Sequence, residues 1–122
     1  MNDYCTVAEV LAIHSDQIER YGGSEGVRDP GLMEAALFRA QTGYYADLIE
    51  EAAALWESLS QNHPFIDGNK RTAFAVTYTF LAINGVRLDA GLEETIVFVL
   101  GLYETSQFTF DKLVPWLRGH TQ

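Results

Sequence analysis

Read from its amino end, the chain alternates apolar and polar positions with a helical period almost throughout. Val7, Val10, Leu11, His14, Ile18 and Tyr21 recur at helical spacing, behind a Thr6-Val7-Ala8-Glu9 capping box and ahead of a Gly22-Gly23 stop. Asp29-Pro30 opens a second helix through Leu32, Met33, Ala36 and Leu37, ending near Gln41-Thr42-Gly43. From Ala46 to Gln61 the stripe Leu48, Ala52, Leu55 and Leu59 predicts an amphipathic helix with Asp47, Glu50, Glu51, Glu57 and Ser58 turned away. Pro64 closes it, because the residue before a proline is pushed out of the α region, and Phe65-Ile66-Asp67-Gly68 is then a loop. A fourth helix, from Asn69 or Lys70 to Ile83, is apolar around nearly its whole circumference, with Phe74, Tyr78 and Phe80 read as core, and is expected at the centre of the fold. After Asn84-Gly85 and a short extended Val86-Arg87-Leu88, helices run from Leu92 to Glu104 and from Thr109 to Arg118, the last shortened or kinked by Pro115. His120 falls in a tail expected to be disordered. The pattern predicts an all-α domain spanning residues 1–122, with about six helices.

Size and charge narrow the classes. A chain of 122 residues with 48% hydrophobic residues buries roughly two-thirds of the surface its unfolded form exposes, enough for a core without staples. Its one cysteine, Cys5, argues against a disulfide scaffold and for a reducing, cytoplasmic setting. The apolar run from Ala73 to Ile83 falls short of the roughly 18 residues of a membrane span, so no membrane partner is expected. Eight Lys and Arg against 17 Asp and Glu give a net charge of −9, which disfavours direct nucleic acid binding and an RNA-cleaving activity.

One segment, His63-Pro64-Phe65-Ile66-Asp67-Gly68-Asn69-Lys70-Arg71, has a composition that packing alone does not require. The first turn of the helix that follows leaves backbone N–H groups without partners, beside the positive end of the helix dipole. Gly68 allows close approach of a phosphate, Asn69 offers an amide, Lys70 a point charge and Arg71 a planar fork. Asp67 suits Mg²⁺, which takes one or two carboxylates and completes its shell with water and substrate phosphates. It is equally a residue that caps helices. His63 can take a proton from a hydroxyl near neutral pH, and Phe65 is read as a loop anchor in the core. His14 is read as a core or surface histidine and Arg28-Asp29 as an ion pair and cap, neither with a chemical role. The ligand implied is a nucleotide with Mg²⁺.

The segment resembles the signature of the Fic/Doc family, H-P-F-x-[D/E]-G-N-x-R, at every fixed position. The stretches Gly26 to Leu37 and Arg71 to Gly85 resemble its Doc branch. The resemblance implies an all-α Fic fold, with His63 as base, Asp67 on Mg²⁺, and Asn69 and Arg71 on phosphate. It also implies a target-binding flap near Phe38 to Tyr45, with Arg39, Gln41 and Tyr44 as candidate contacts. Lys70 stands where members that transfer AMP usually have glycine and Doc members have lysine, which implies transfer of the γ-phosphate of ATP to a threonine of translation factor EF-Tu, and control by a Phd-type antitoxin. Pro64 and Gly68 are closer to the AMP-transferring pattern, so AMP transfer to a protein hydroxyl and a silent nucleotide- or antitoxin-binding module stand as alternatives. The inhibitory pattern [S/T]-x-x-x-E-[G/N] found in many family members is absent from the chain.

Overall fold

A computed structural model describes residues 2–122. It consists of six helices, α1 (Val7–Tyr21), α2 (Pro30–Ala40), α3 (Leu48–Asn62), α4 (Asn69–Ile83), α5 (Leu92–Glu104) and α6 (Phe110–His120). There are no strands among the described residues, only isolated bridges between Val27 and Phe65 and between Leu88 and Thr121. No helix is long and apolar enough to cross a membrane among the described residues.

Local chemistry sets the helix starts. At α1 the Glu9 amide donates to Thr6 Oγ1 at 3.1 Å and the Thr6 amide to Glu9 Oε1 at 2.9 Å, so two otherwise orphaned donors are satisfied reciprocally. Asp29 caps α2 through the Leu32 amide at 3.1 Å, and Asp47 caps α3 through the Glu50 amide at 3.0 Å. Arg118 reaches from α6 to Asp47 at 2.9 Å and ties the two helices at that end.

The helix at the centre is α3, not α4. It packs against α2, α4 and α6, and nine of its residues are buried, including Glu51 and Ser58, which the amphipathic reading had turned to solvent. Partners outside the helix make those two burials tolerable: Glu51 accepts from the Tyr4 hydroxyl at 3.1 Å and Asn2 Nδ2 at 2.9 Å, and Ser58 Oγ accepts from Arg39 at 2.9 Å. Ala52, Ala53 and Ala54, all with no exposure, let neighbouring helices approach closely. Trp56, also fully buried, meets Phe74 and Phe108 edge-on, each at 5.5 Å between ring centroids.

By contrast, α4 buries one side through Thr72, Ala73, Val76, Thr77, Phe80 and Leu81, while Tyr78 is 44% exposed and Phe74 is half-buried. The reason lies in α5, whose backbone stands off from every other helix. It is attached by long side chains: Phe98 stacks on Trp116 at 4.5 Å and Tyr103 on Phe108 at 4.4 Å. Between α1, α4 and α5 this leaves an apolar groove of about 740 Å³. The last helix continues through Pro115 as far as His120, which stacks on Trp116 at 4.4 Å rather than lying in a disordered tail. Reciprocal backbone bonds of 3.0 Å between Arg87 and Gln122 hold the residues after it.

Because α3 touches three helices, truncation on it should cost more than truncation at an exposed position of α5. Leu59→Ala is expected to lose about 2–5 kcal/mol of stability in chemical denaturation. Leu92→Ala, at a residue 77% exposed, should change it by less than about 0.5 kcal/mol.

Candidate active site

The segment that follows α3 turns sharply at His63, whose φ of 49° and ψ of 57° put a non-glycine residue in the left-handed region. Arg28 compensates. Its Nε donates to the His63 carbonyl at 2.7 Å and its Nη2 to the Asn62 carbonyl at 2.8 Å, placing a cation at the negative end of α3. Arg28 therefore does not pair with Asp29, whose carboxylate caps α2. The Arg28 and Asp29 amides donate to the Pro64 carbonyl at 2.8 and 3.0 Å, and the Ile66 amide donates to the Gly26 carbonyl at 3.1 Å. Residues 26–29 thus run beside the loop as a splint.

Phe65 is 2% exposed and lies flat against His14, with ring centroids 3.9 Å apart and planes 4° from parallel. His14, itself 3% exposed, carries a proton on Nε2 and donates it to the Asp67 carbonyl at 2.8 Å. Asn69 is folded back within the loop: its Oδ1 accepts from the Phe65 amide at 2.9 Å and its Nδ2 donates to the Phe65 carbonyl at 3.0 Å, leaving one N–H of the amide uncommitted. The exposed Asp67 carboxylate accepts from the Ser24 amide at 3.1 Å and the Gly68 amide at 2.8 Å. These bonds, Ser24 first, hold its carboxyl below the usual carboxylate range, with Arg71 adding to the effect. Asp67 therefore caps the loop rather than α4. Two glycines permit this approach: a Cβ on Gly23, at φ 119°, would stand 2.7 Å from Asp67 Oδ2, and Gly68 opens α4 at φ 75°.

No side chain caps α4, whose first internal bond runs from the Thr72 amide to Gly68 O at 3.0 Å. Its first turn carries two cations in that position. Arg71 Nη2 donates to the Gly22 carbonyl at 2.8 Å, and Lys70 Nζ lies 4.3 Å from the centre of the Tyr103 ring. His63, Ile66, Asp67, Gly68, Asn69, Lys70 and Arg71 together line a cavity of about 360 Å³. An imidazole, one carboxylate, two cations and an uncapped helix start thus share one small space. That donor set fits a polyphosphate, and the single hard carboxylate fits Mg²⁺, which needs little more from protein when phosphates are present.

Residues 4–81, which include this loop, α1 to α3 and all but the last two residues of α4, match the model of the Fic/DOC family. The chain belongs to that family. Among curated proteins, it is 44% identical to Toxin Doc of Mycolicibacterium smegmatis over 98 residues, covering 76% of this chain and 73% of the relative. It is also 39% identical to Protein kinase doc of Escherichia phage P1 over 84 residues, covering 66% and 67% respectively. These relatives place the chain in the Doc branch of the Fic/Doc family.

Three residues suggested by the Fic/Doc resemblance as target contacts do not line the cavity. Arg39 is held by the Tyr45 hydroxyl and Glu57, each at 2.7 Å, and by Ser58. Gln41 donates to the Leu37 carbonyl at 3.1 Å, and Tyr44 stands 84% exposed, edge-on to Tyr45. His14, Ser24 and Arg28 support the loop from outside it; from the sequence alone His14 and Arg28 have only structural roles, Arg28 with the wrong partner, and Ser24 has none. The signal for Arg28 was a basic residue in a short segment with three glycines, Gly22, Gly23 and Gly26, all at positive φ. For His14 it was an imidazole on the Val10–Ile18 stripe, where a polar side chain needs a partner.

Since the folded Asp67 carboxyl titrates below its ordinary value of 3.8, its stabilising contribution is complete above that value and is lost as pH falls through the folded one. Thermal melts should therefore show the advantage of wild type over Asp67→Asn to be constant above about pH 5 and to shrink below about pH 4. His14→Phe keeps a ring against Phe65 but strands the Asp67 carbonyl, and is expected to cost about 1–3 kcal/mol in urea denaturation. His14→Gln, which restores a donor, should recover part of that loss.

Proposed function

We propose that this chain is a Doc-type toxin that transfers the γ-phosphate of ATP to a threonine hydroxyl of translation factor EF-Tu, and so stops protein synthesis in the cytoplasm. The observation that carries this reading is the uncapped start of α4, bearing Lys70 and Arg71, in one cavity with His63 and Asp67. The names of the two relatives, a toxin and a protein kinase, support it.

In this reading the α4 amides, Lys70 and Arg71 bind the phosphates, and the spare N–H of Asn69 adds a donor. Asp67 would hold Mg²⁺, which supplies charge neutralisation along the phosphate chain when bound. The exposed His63 imidazole accepts the proton of the target hydroxyl, whose oxygen forms a bond to the γ-phosphorus. The bond from that phosphorus to the β-phosphate oxygen breaks, and ADP leaves with the electron pair. The left-handed turn at His63, clamped by Arg28, fixes the direction from which the base works.

The toxin reading includes an antitoxin of the Phd type. The apolar groove between α1, α4 and α5, with exposed Tyr78, Leu92 and Ile96, suits the apolar face of a segment that folds on binding. The overall net charge of the chain, −9, suits a basic one.

The test is to incubate the chain with Mg²⁺, EF-Tu and ATP labelled at either the α or the γ phosphate, with His63→Ala as control. Label from γ alone, absent in the variant, is the expected result. Label from α would make the chain an AMP transferase, with pyrophosphate leaving instead of ADP. Label from neither position, with EF-Tu intact, would overturn the reading in favour of a silent binding module.

A further inference from the structure

We propose that Tyr103 is a positioning residue that seats the Lys70 ammonium at the start of α4 and thereby sets the affinity of the cavity for a polyphosphate. The inference rests on the nucleotide-binding part of the reading above and adds a residue from a different helix to it.

The geometry is that of a brace with three attachments. The Lys70 Nζ lies 4.3 Å from the centre of the Tyr103 ring, a cation–π distance. The same ring stacks on Phe108 at 4.4 Å with planes 2° from parallel, so the ammonium occupies the opposite face. The Tyr103 hydroxyl donates to Ser60 Oγ at 2.8 Å, and Ser60 is 1% exposed on the last turn of α3, which ends beside His63. Tyr103 thus joins the end of the helix before the active loop to the start of the helix after it. Burial raises the pKa of its phenol, so the ring remains neutral and a hydrogen-bond donor through the physiological range.

The brace answers a problem of position. Lys70 is the second residue of α4, where the positive end of the dipole and the neighbouring Arg71 both repel an ammonium. With only solvent around it, such a side chain spends its time turned away. The electron-rich face of Tyr103 supplies an attraction of fixed direction, and an ammonium held on a ring retains N–H donors for an anion. The phosphate chain then meets a cation already in place, so less ordering remains to be done on binding.

The experiment measures ATP·Mg²⁺ affinity by calorimetry for wild type, Tyr103→Leu, Lys70→Met and the double variant, with melting curves as a check on folding. Tyr103→Leu is expected to weaken binding about fivefold, and the double variant to bind no worse than Lys70→Met alone. Tyr103→Phe, which keeps the ring and loses only the bond to Ser60, should restore most of the affinity. Losses that multiply in the double variant, or a Tyr103→Leu protein that binds like wild type while Lys70→Met does not, would overturn the proposal. Should Tyr103→Leu lose its cooperative melt, Tyr103→Met takes its place in the cycle. The Lys70 ε-methylene protons provide a readout independent of nucleotide: a ring-current shift upfield in wild type and Tyr103→Phe supports the seat, and its absence in wild type overturns it. A wild-type chain that shows the shift but binds no ATP sinks the nucleotide reading and leaves the seat standing.

Discussion

The active end of the molecule depends on hydrogen bonds between two irregular segments. Residues 22–29 and 63–68 each lack regular structure, yet each supplies the partners the other needs. The Pro64 carbonyl takes two amides, the Gly26 carbonyl one, and the Asp67 carboxylate a fourth, while Arg28 holds the last carbonyls of α3. Backbone groups withdrawn from water must be paired somewhere, and here they pair with a loop from the opposite side of the site. A left-handed histidine is a strained choice for a turn, tolerable because this frame over-determines it.

The same frame concentrates charge. Arg28, Lys70 and Arg71, three of the eight basic residues in a chain of net charge −9, lie on or beside the loop. Each has a reason to be there that does not require an anion: Arg28 meets the carbonyl end of α3, Arg71 meets the Gly22 carbonyl, and Lys70 rests on Tyr103. The cavity is cationic before any ligand arrives, and its cations are already oriented.

What could be read from the sequence divides along a physical line. The caps of α1 and α2, the six helices and the loop between α3 and α4 depend on residues near one another in the chain, and they were legible. The burial of α3 was not, because nothing near Glu51 or Ser58 announces Tyr4, Asn2 or Arg39 as partners. For the same reason α4 looked like the central helix: its apolar girth is real, but α5 stands off from it and leaves Tyr78 uncovered. Within the site, the lining residues of the cavity lie in one nine-residue segment and were visible as such. His14, Ser24 and Arg28 reach it from 35 or more positions away, and at that distance the local pattern can mark a polar residue in need of a partner but cannot name the partner.

The attachment of α5 by side chains alone has a consequence for how such a chain can diverge. Leu92, Val97 and Leu100 of α5 are exposed, so replacing them opens no hole in the interior. Apart from the contact of Tyr103 with Lys70, the loop is anchored through α1, the end of α3 and the 22–29 segment. Under the proposed function, recognition can therefore drift along one helix while the reactive groups stay where they are, and a lineage can exchange partners without first rebuilding its means of attack.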